Sequence, residues 1–109
     1  MFQFIQKIWK HCFREKPRVR VTRGFLKILD CFLRNQERWL SGADVMKDTG
    51  LWSDTVYPLT ARMVDGGWLQ LWKVADGRHV FKLKDDAKEQ AKDMLAKNAH
   101  IWQPSKMAA

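Results

Sequence analysis

The chain is 109 residues long, with 46% apolar and 29% charged residues and a formal net charge of +8. This length predicts one domain with a modest core. No run approaches the ~20 continuous apolar residues of a membrane span, and the N-terminus lacks the small-residue cleavage site of a signal peptide. Cys12 and Cys31 are too few and too far apart for a disulfide framework or a zinc site, and the histidines share no ligand spacing. We therefore expect a cytoplasmic protein with reduced, semi-buried cysteines, no metal and no cofactor.

The positive charge is concentrated in two parts of the chain. Residues 1–24 contain seven Lys or Arg against one Glu, and residues 67–84 contain four against one Asp, whereas the remaining segments are close to neutral. A basic surface of this kind suits a polyanion, either nucleic acid or an anionic membrane. Solubility alone would not predict the clustering.

Residues 1–16 predict a basic amphipathic helix with an apolar stripe at helical spacing. The apolar stripe of such a helix must pack against another surface, which could be its own domain, a second subunit or a membrane. The first two are favoured because a globular domain follows, so no membrane partner is expected. Arg18, Arg20 and Arg23 then belong to an extended basic connector. It is either a solvated linker or an arm that touches phosphates, and the sequence leaves both open.

Residues 17–84 predict a winged helix-turn-helix in an α+β, mostly helical protein. Thr22 is a cap for a helix that runs to about Glu37, and Ser41 with Asp44 forms the capping box of the next helix, which ends at Thr49-Gly50. A short bridge around residues 39–41 could pair with the wing. The predicted core is apolar residues at helix or strand spacing: Phe25, Ile28, Leu29, Val56, Leu59, Leu69, Leu71 and Phe81.

The second helix of the motif is predicted to run to about Asp65. Ser53, Asp54 and Thr55 are candidate caps, and Pro58 fits best in the first turn, where its missing N–H is not needed. We therefore expect a start near Asp54 or Thr55, with an earlier start at Ser53 left open. The buried stripe is predicted to be Val56, Leu59, Met63 and Val64.

The opposite face of this helix carries the residue types that approach a major groove. Arg62 could reach guanine or phosphate, Ser53 and Thr55 suit phosphate, and Tyr57 suits either. Packing of Tyr57 against the wing is the competing interpretation. The candidate DNA contacts on this helix are Ser53, Thr55, Tyr57, Pro58, Ala61 and Arg62.

The wing is predicted as a hairpin around a three-residue loop, Ala75-Asp76-Gly77. With glycine in the left-handed position, Leu71 pairs with Phe81 and Leu69 with Leu83, which keeps one face apolar. Near the tip, Lys73, Arg78 and His79 are the candidate phosphate contacts.

Here the sequence resembles a known family. The run 54–59 (Asp-Thr-Val-Tyr-Pro-Leu), continued by residues 62–69, resembles the PadR family of bacterial transcriptional regulators, and the resemblance covers about residues 22–84. Thr60 stands where that family usually has leucine. The resemblance implies a dimeric repressor that binds a palindromic operator and dimerises through helices outside the wing. A winged-helix repressor of plasmid or phage type would look similar.

Residues 85–109 predict a C-terminal helix from Asp85 or Asp86 to Pro104, followed by a tail. Its apolar side suits a partner helix, although packing over the first helix of the chain is the simpler alternative. The predicted dimer interface joins the two terminal helices: Phe2, Ile5, Trp9, Cys12, Met94, Leu95, Ile101 and Trp102.

The sequence thus predicts a sequence-specific regulator that binds double-stranded DNA as a homodimer. No glycine-rich phosphate loop, paired carboxylates or nucleophile-base set supports an enzyme. The alternative is a winged-helix module that binds another protein without DNA. An apolar patch that includes both Tyr57 and Trp72 would favour that alternative.

Overall fold

The computed structural model describes residues 19–102. Within this range a mostly helical α+β fold combines five α-helices with a small antiparallel sheet. The predicted N-terminal helix with Phe2, Ile5, Trp9 and Cys12, together with Arg18 and the tail from 103 onwards, lies outside the described residues. The elements are α1 (Arg23–Arg34), β1 (Leu40–Ser41), α2 (Gly42–Thr49), α3 (Ser53–Asp65), β2 (Leu69–Lys73), β3 (His79–Leu83), a 3-10 turn (Asp85–Ala87), α4 (Lys88–Lys97) and α5 (Ala99–Trp102).

Helix α1 is the centre of the core. The hydroxyl of Thr22 accepts a hydrogen bond from the Phe25 N–H at 3.2 Å, which confirms the predicted cap. The helix ends at Arg34, three residues before the predicted Glu37, because Asn35 caps the Cys31 carbonyl through its side chain and its backbone N–H. The helix contacts α2, α3, α4 and α5. Its buried residues are Phe25, Leu26, Ile28, Leu29, Cys31 and Phe32.

Cys31 is a free thiol and is fully buried, whereas the sequence predicted a half-buried side chain. The pKa of this thiol is raised to about 12, mainly by burial and also by the neighbouring Asp48. Asp48 itself is held by Arg34, whose guanidinium also binds Asp30. The hydrogen bond from Arg34 is the main reason that the pKa of the Asp48 carboxyl lies below its usual value. These contacts join the end of α1 to α2.

Helix α2 has the predicted boundaries. The Ser41 hydroxyl accepts from the Asp44 N–H at 3.2 Å, and the Asp44 carboxylate accepts from the Ser41 N–H at 3.0 Å. The helix ends at Gly50, which has a φ of +75°.

Helix α3 starts at Ser53, earlier than the preferred positions Asp54 or Thr55. Its N-cap is Trp52, and no side chain caps the helix, so the three predicted capping side chains are not used. With this start Pro58 is the sixth helical residue, and its predicted place in the first turn is wrong. Its ring removes the donor that would have bonded the Asp54 carbonyl.

The buried stripe of α3 differs from the prediction at three positions. Val56, Thr60 and Met63 are fully buried, while Leu59 and Val64 are only partly buried against the core. Thr60 is accommodated because its hydroxyl donates to the Val56 carbonyl at 2.9 Å.

The hairpin has the predicted register. Leu69 pairs with Leu83, Leu71 with Phe81 and Trp72 with Val80, and Gly77 has a φ of +93° in the three-residue loop. Strand β1 adds the predicted bridge, since Leu40 pairs with Phe81, and the sheet order is β1-β3-β2. Leu71 is an exception to the predicted core, because its side chain is 47% exposed on the edge strand.

The C-terminal segment forms two short helices instead of one. Asn98 ends α4, because its side-chain amide and its backbone N–H both donate to the Met94 carbonyl. Both α4 and α5 contact α1, and the Trp102 indole N–H donates to the Leu95 carbonyl at 3.1 Å.

Candidate nucleic-acid interface

One face of α3 is turned away from the core. Tyr57, Pro58, Ala61 and Arg62 are exposed there, as is Ser53 at the start of the helix. Thr55 is half-buried. The side chains that face the core are Val56, Thr60 and Met63. The structure therefore brings the predicted DNA contacts of α3 together on one accessible surface.

The start of α3 lies against the start of α1. A Cβ placed on Gly24 would lie 3.5 Å from Thr55 Cγ2 and 3.4 Å from Leu59 Cδ1. Arg20 and Arg23, just before this contact, are exposed. The described part of the basic arm is thus next to the N-terminal half of α3.

Tyr57 packs on the first residue of α2. A Cβ on Gly42 would come within 2.4 Å of Tyr57 Cε1, so only glycine leaves room for the ring in its present position. The side chain is nevertheless 52% exposed. Sequence reasoning predicted neither this contact nor the need for glycine at position 42.

A groove of about 390 Å³ separates α3 from the inner face of the wing. It brings Tyr57 and Ala61 of α3 close to His79 of β3. Leu71, which the register placed in the core, lines the same groove. Tyr57 therefore packs on α2 and lines the groove beside the wing, while half of its side chain stays exposed.

At the wing tip, the Arg78 charge has a carboxylate partner. Arg78 Nε donates to Asp76 Oδ2 at 2.7 Å, and the Arg78 backbone N–H donates to Asp76 Oδ1 at 3.0 Å. These bonds, the backbone one foremost, keep the pKa of the Asp76 carboxyl below its usual value. Lys73 is exposed and pairs across the strands with His79. The three predicted wing contacts are therefore adjacent to one another.

The outer face of the wing carries an aromatic pair. The rings of Trp39 and Trp72 are 6.4 Å apart at 53°, and Lys82 Nζ lies 5.8 Å from the centre of the Trp39 ring. With Val74 and Val80 the two tryptophans line a shallow cavity of about 430 Å³. Tyr57 is not part of it. The two residues whose union would have favoured a protein-binding module thus line separate cavities.

The candidate dimer residues of the C-terminal segment have unequal exposure. Leu95 is 6% exposed and belongs to the core of its own chain. Met94, Ile101 and Trp102 are partly buried against that core. Any contact of this segment with a second chain would therefore use these three side chains more than Leu95.

Between residues 19 and 102, no group of three or more His, Cys, Asp or Glu side chains could hold a metal ion. None of the helices in that range is both long and apolar enough to cross a membrane.

Comparisons with known proteins identify the fold. No protein-family model and no curated protein sequence matches the chain. Among solved structures, the chain is similar to BpsR of Bordetella bronchiseptica, whose DNA binding is regulated by 6-hydroxynicotinic acid. The identity is 20%, the TM-score is 0.63, and the match covers 95% of this chain and 77% of that one.

The chain is also similar to MepR of Staphylococcus aureus, a transcription regulator of the multidrug efflux pump MepA. The identity is 13% and the TM-score 0.63, with 100% of this chain and 84% of that chain covered. For MepR in complex with DNA the values are 16% and 0.62, with 98% and 89% covered. At these identities the likeness shows the fold, which is the winged helix-turn-helix of such regulators.

Proposed function

We propose that this protein is a transcription regulator that binds double-stranded DNA sequence-specifically, with α3 as the recognition helix in the major groove. The observation that carries the proposal is the exposed α3 face with Tyr57, Pro58, Ala61 and Arg62. It lies between an exposed basic arm and a wing with basic residues at its tip. In winged-helix and related proteins an exposed helix face of this kind reads base edges, while flanking cations bind phosphates.

The residues divide into two roles under this proposal. Arg62 reads a base, for which guanine is the preferred partner of arginine. Ser53, Thr55 and Tyr57 contact the backbone or the groove edge, and Pro58 and Ala61 keep the helix surface low enough for close approach. The side chains that contact phosphates are Arg18, Arg20, Arg23, Lys73, Arg78 and His79.

The similar structures support the DNA-binding part of the proposal, since one is a MepR–DNA complex and another concerns control of DNA binding by BpsR. The PadR-like run 54–59 lies on α3 itself and supports a repressor. We further propose that the protein acts as a homodimer on a palindromic operator, and that it resides in the cytoplasm with its DNA.

The test uses a duplex selected from a random-sequence pool by the full-length protein. Arg62→Ala should weaken binding to the selected duplex by about 1–3 kcal/mol and leave unrelated duplex almost unchanged, because a base contact is lost. Arg38→Ala removes an equal charge from the exposed loop before β1 and is the matched control. Equal weakening on both duplexes would make Arg62 a phosphate contact, and failure to select any duplex would refute the function.

The Trp39–Trp72 surface favours a second candidate function, that of a module that binds another protein. Its cavity of about 430 Å³ exceeds the 390 Å³ of the groove beside Tyr57, and Lys82 lies near the Trp39 ring. Binding of a partner protein that is lost in Trp39→Ala combined with Trp72→Ala, together with failure of the wild type to select any duplex, would support this alternative.

A further inference from the structure

Trp52 is the most exposed large apolar side chain of the described residues, at 79%. It follows Leu51 in the turn between α2 and α3. Leu51 is partly buried against the core, so the turn itself is anchored. An exposed tryptophan is unusual, because aromatic side chains carry the largest apolar surface of any residue and most of it is normally covered.

The main chain at Trp52 is fixed by hydrogen bonds at the start of α3. The Trp52 carbonyl accepts hydrogen bonds from the Thr55 N–H at 3.0 Å and from the Val56 N–H at 2.9 Å. Its φ of −84° and ψ of 162° are ordinary extended values. Because the main chain is fixed in this way, the exposed ring does not reflect a loose loop.

The surroundings of Trp52 favour a polyanionic partner. Thr55, three residues further on, contacts the start of α1, where Arg20 and Arg23 are exposed. Asp54, two residues after Trp52, is an exposed carboxylate that opposes phosphate, so this position suits an uncharged contact and not an ion pair. An indole combines an apolar ring with one N–H donor. Those two features match the apolar edge of a deoxyribose and the oxygen of the neighbouring phosphate.

We propose that Trp52 contacts the DNA backbone beside the major groove, independently of sequence. Its ring packs on a deoxyribose, and its Nε1–H donates to an adjacent phosphate oxygen. This inference rests on the proposed function and adds a residue to that site. It assigns Trp52 a role in positioning α3, distinct from base reading by Arg62 and from charge neutralisation by the wing and the arm.

The test compares Trp52→Phe and Trp52→Ala in the full-length protein. Trp52→Phe keeps a ring and removes the N–H, so affinity should fall about two- to tenfold, the usual value of one hydrogen bond. Trp52→Ala should lose more. Trp72→Phe and Trp72→Ala are the matched controls, since Trp72 is 61% exposed on the outer face of the wing. Their affinities should equal that of the wild type.

Each variant is titrated against the selected duplex and an unrelated duplex at several salt concentrations. Both duplexes should weaken by the same factor, and the salt dependence should stay as in the wild type, because an uncharged indole releases no counterion. Unchanged affinity of Trp52→Ala would overturn the inference while leaving the proposed function intact. Loss on the selected duplex alone would also overturn it, because Trp52 would then read a base. If the wild type bound no duplex, the proposed function would fail with it.

Discussion

Gly42 and Tyr57 pack against each other in the candidate interface. Because a Cβ on Gly42 would come within 2.4 Å of Tyr57 Cε1, Gly42→Ala should displace the tyrosine ring from its position beside the groove. The ring is half-exposed and can turn into solvent, so the thermal midpoint should change little while DNA affinity falls. Titration of the selected duplex measures the affinity.

The control is a double-mutant cycle. In the Tyr57→Ala background Gly42→Ala should have almost no further effect on DNA affinity, which corresponds to a coupling energy of about 0.5–3 kcal/mol between the two positions. Additive losses would mean that Gly42 acts through α2 and not through Tyr57.

For single residues, the sequence predicted which side chains are exposed better than it predicted which residues are in contact. Helical periodicity places Tyr57, Ala61 and Arg62 opposite Val56 and Met63, and the structure agrees. The Gly42–Tyr57 contact depends on how α2 crosses α3, and spacing within one helix does not contain that information. The predicted position of Pro58 is wrong because proline is most frequent in the first turn of a helix, whereas here the helix starts earlier, with Trp52 as its N-cap.

At the wing tip, the positive charge of Arg78 is partly offset by the carboxylate of Asp76. Asp76→Asn should release the Arg78 guanidinium from its carboxylate partner, so that a charge that Asp76 offsets in the wild type acts fully on the phosphate. DNA affinity should rise on all sequences, and the slope of log affinity against log salt should steepen by about 0.9, the value for one phosphate. A salt series on unrelated duplex measures this slope.

Asp86→Asn is the matched control for this wing variant, because it makes the same charge change at an exposed position in the 3-10 turn. If Asp76→Asn and Asp86→Asn had identical salt slopes, Arg78 would not be a phosphate contact and only net charge would matter.

Asparagine caps explain why the sequence did not predict the ends of α1 and α4. Asn35 and Asn98 each donate side-chain and backbone N–H groups to the carbonyl four residues earlier, which ends α1 and α4. Asparagine side chains compete with helical bonding wherever geometry allows, so their effect cannot be read from apolar periodicity. The hairpin was predictable because the three-residue loop and the alternation of faces require the same register.

For the whole molecule, the homodimer is a prediction from the apolar stripes of the two terminal segments. Ile5 and Trp9 lie outside the described residues, while Ile101 and Trp102 are partly buried. Ile5→Asp combined with Trp9→Asp should yield folded monomers that bind the selected duplex weakly, because two recognition helices about 34 Å apart would no longer act together. Analytical sedimentation measures the state. A wild-type protein that is monomeric at micromolar concentration would contradict the dimer and the palindromic operator.

The most direct test of the central claim is the salt dependence of duplex binding by the wild-type protein, measured with unrelated duplex as competitor. If α3 reads bases while the arm and the wing neutralise phosphates, log affinity should fall linearly with log salt, by about 0.9 for each phosphate contacted. The selected duplex should also resist competition. Affinity that stays constant between low and high salt, or a selected duplex displaced as easily as an unrelated one, would contradict a sequence-specific DNA-binding regulator.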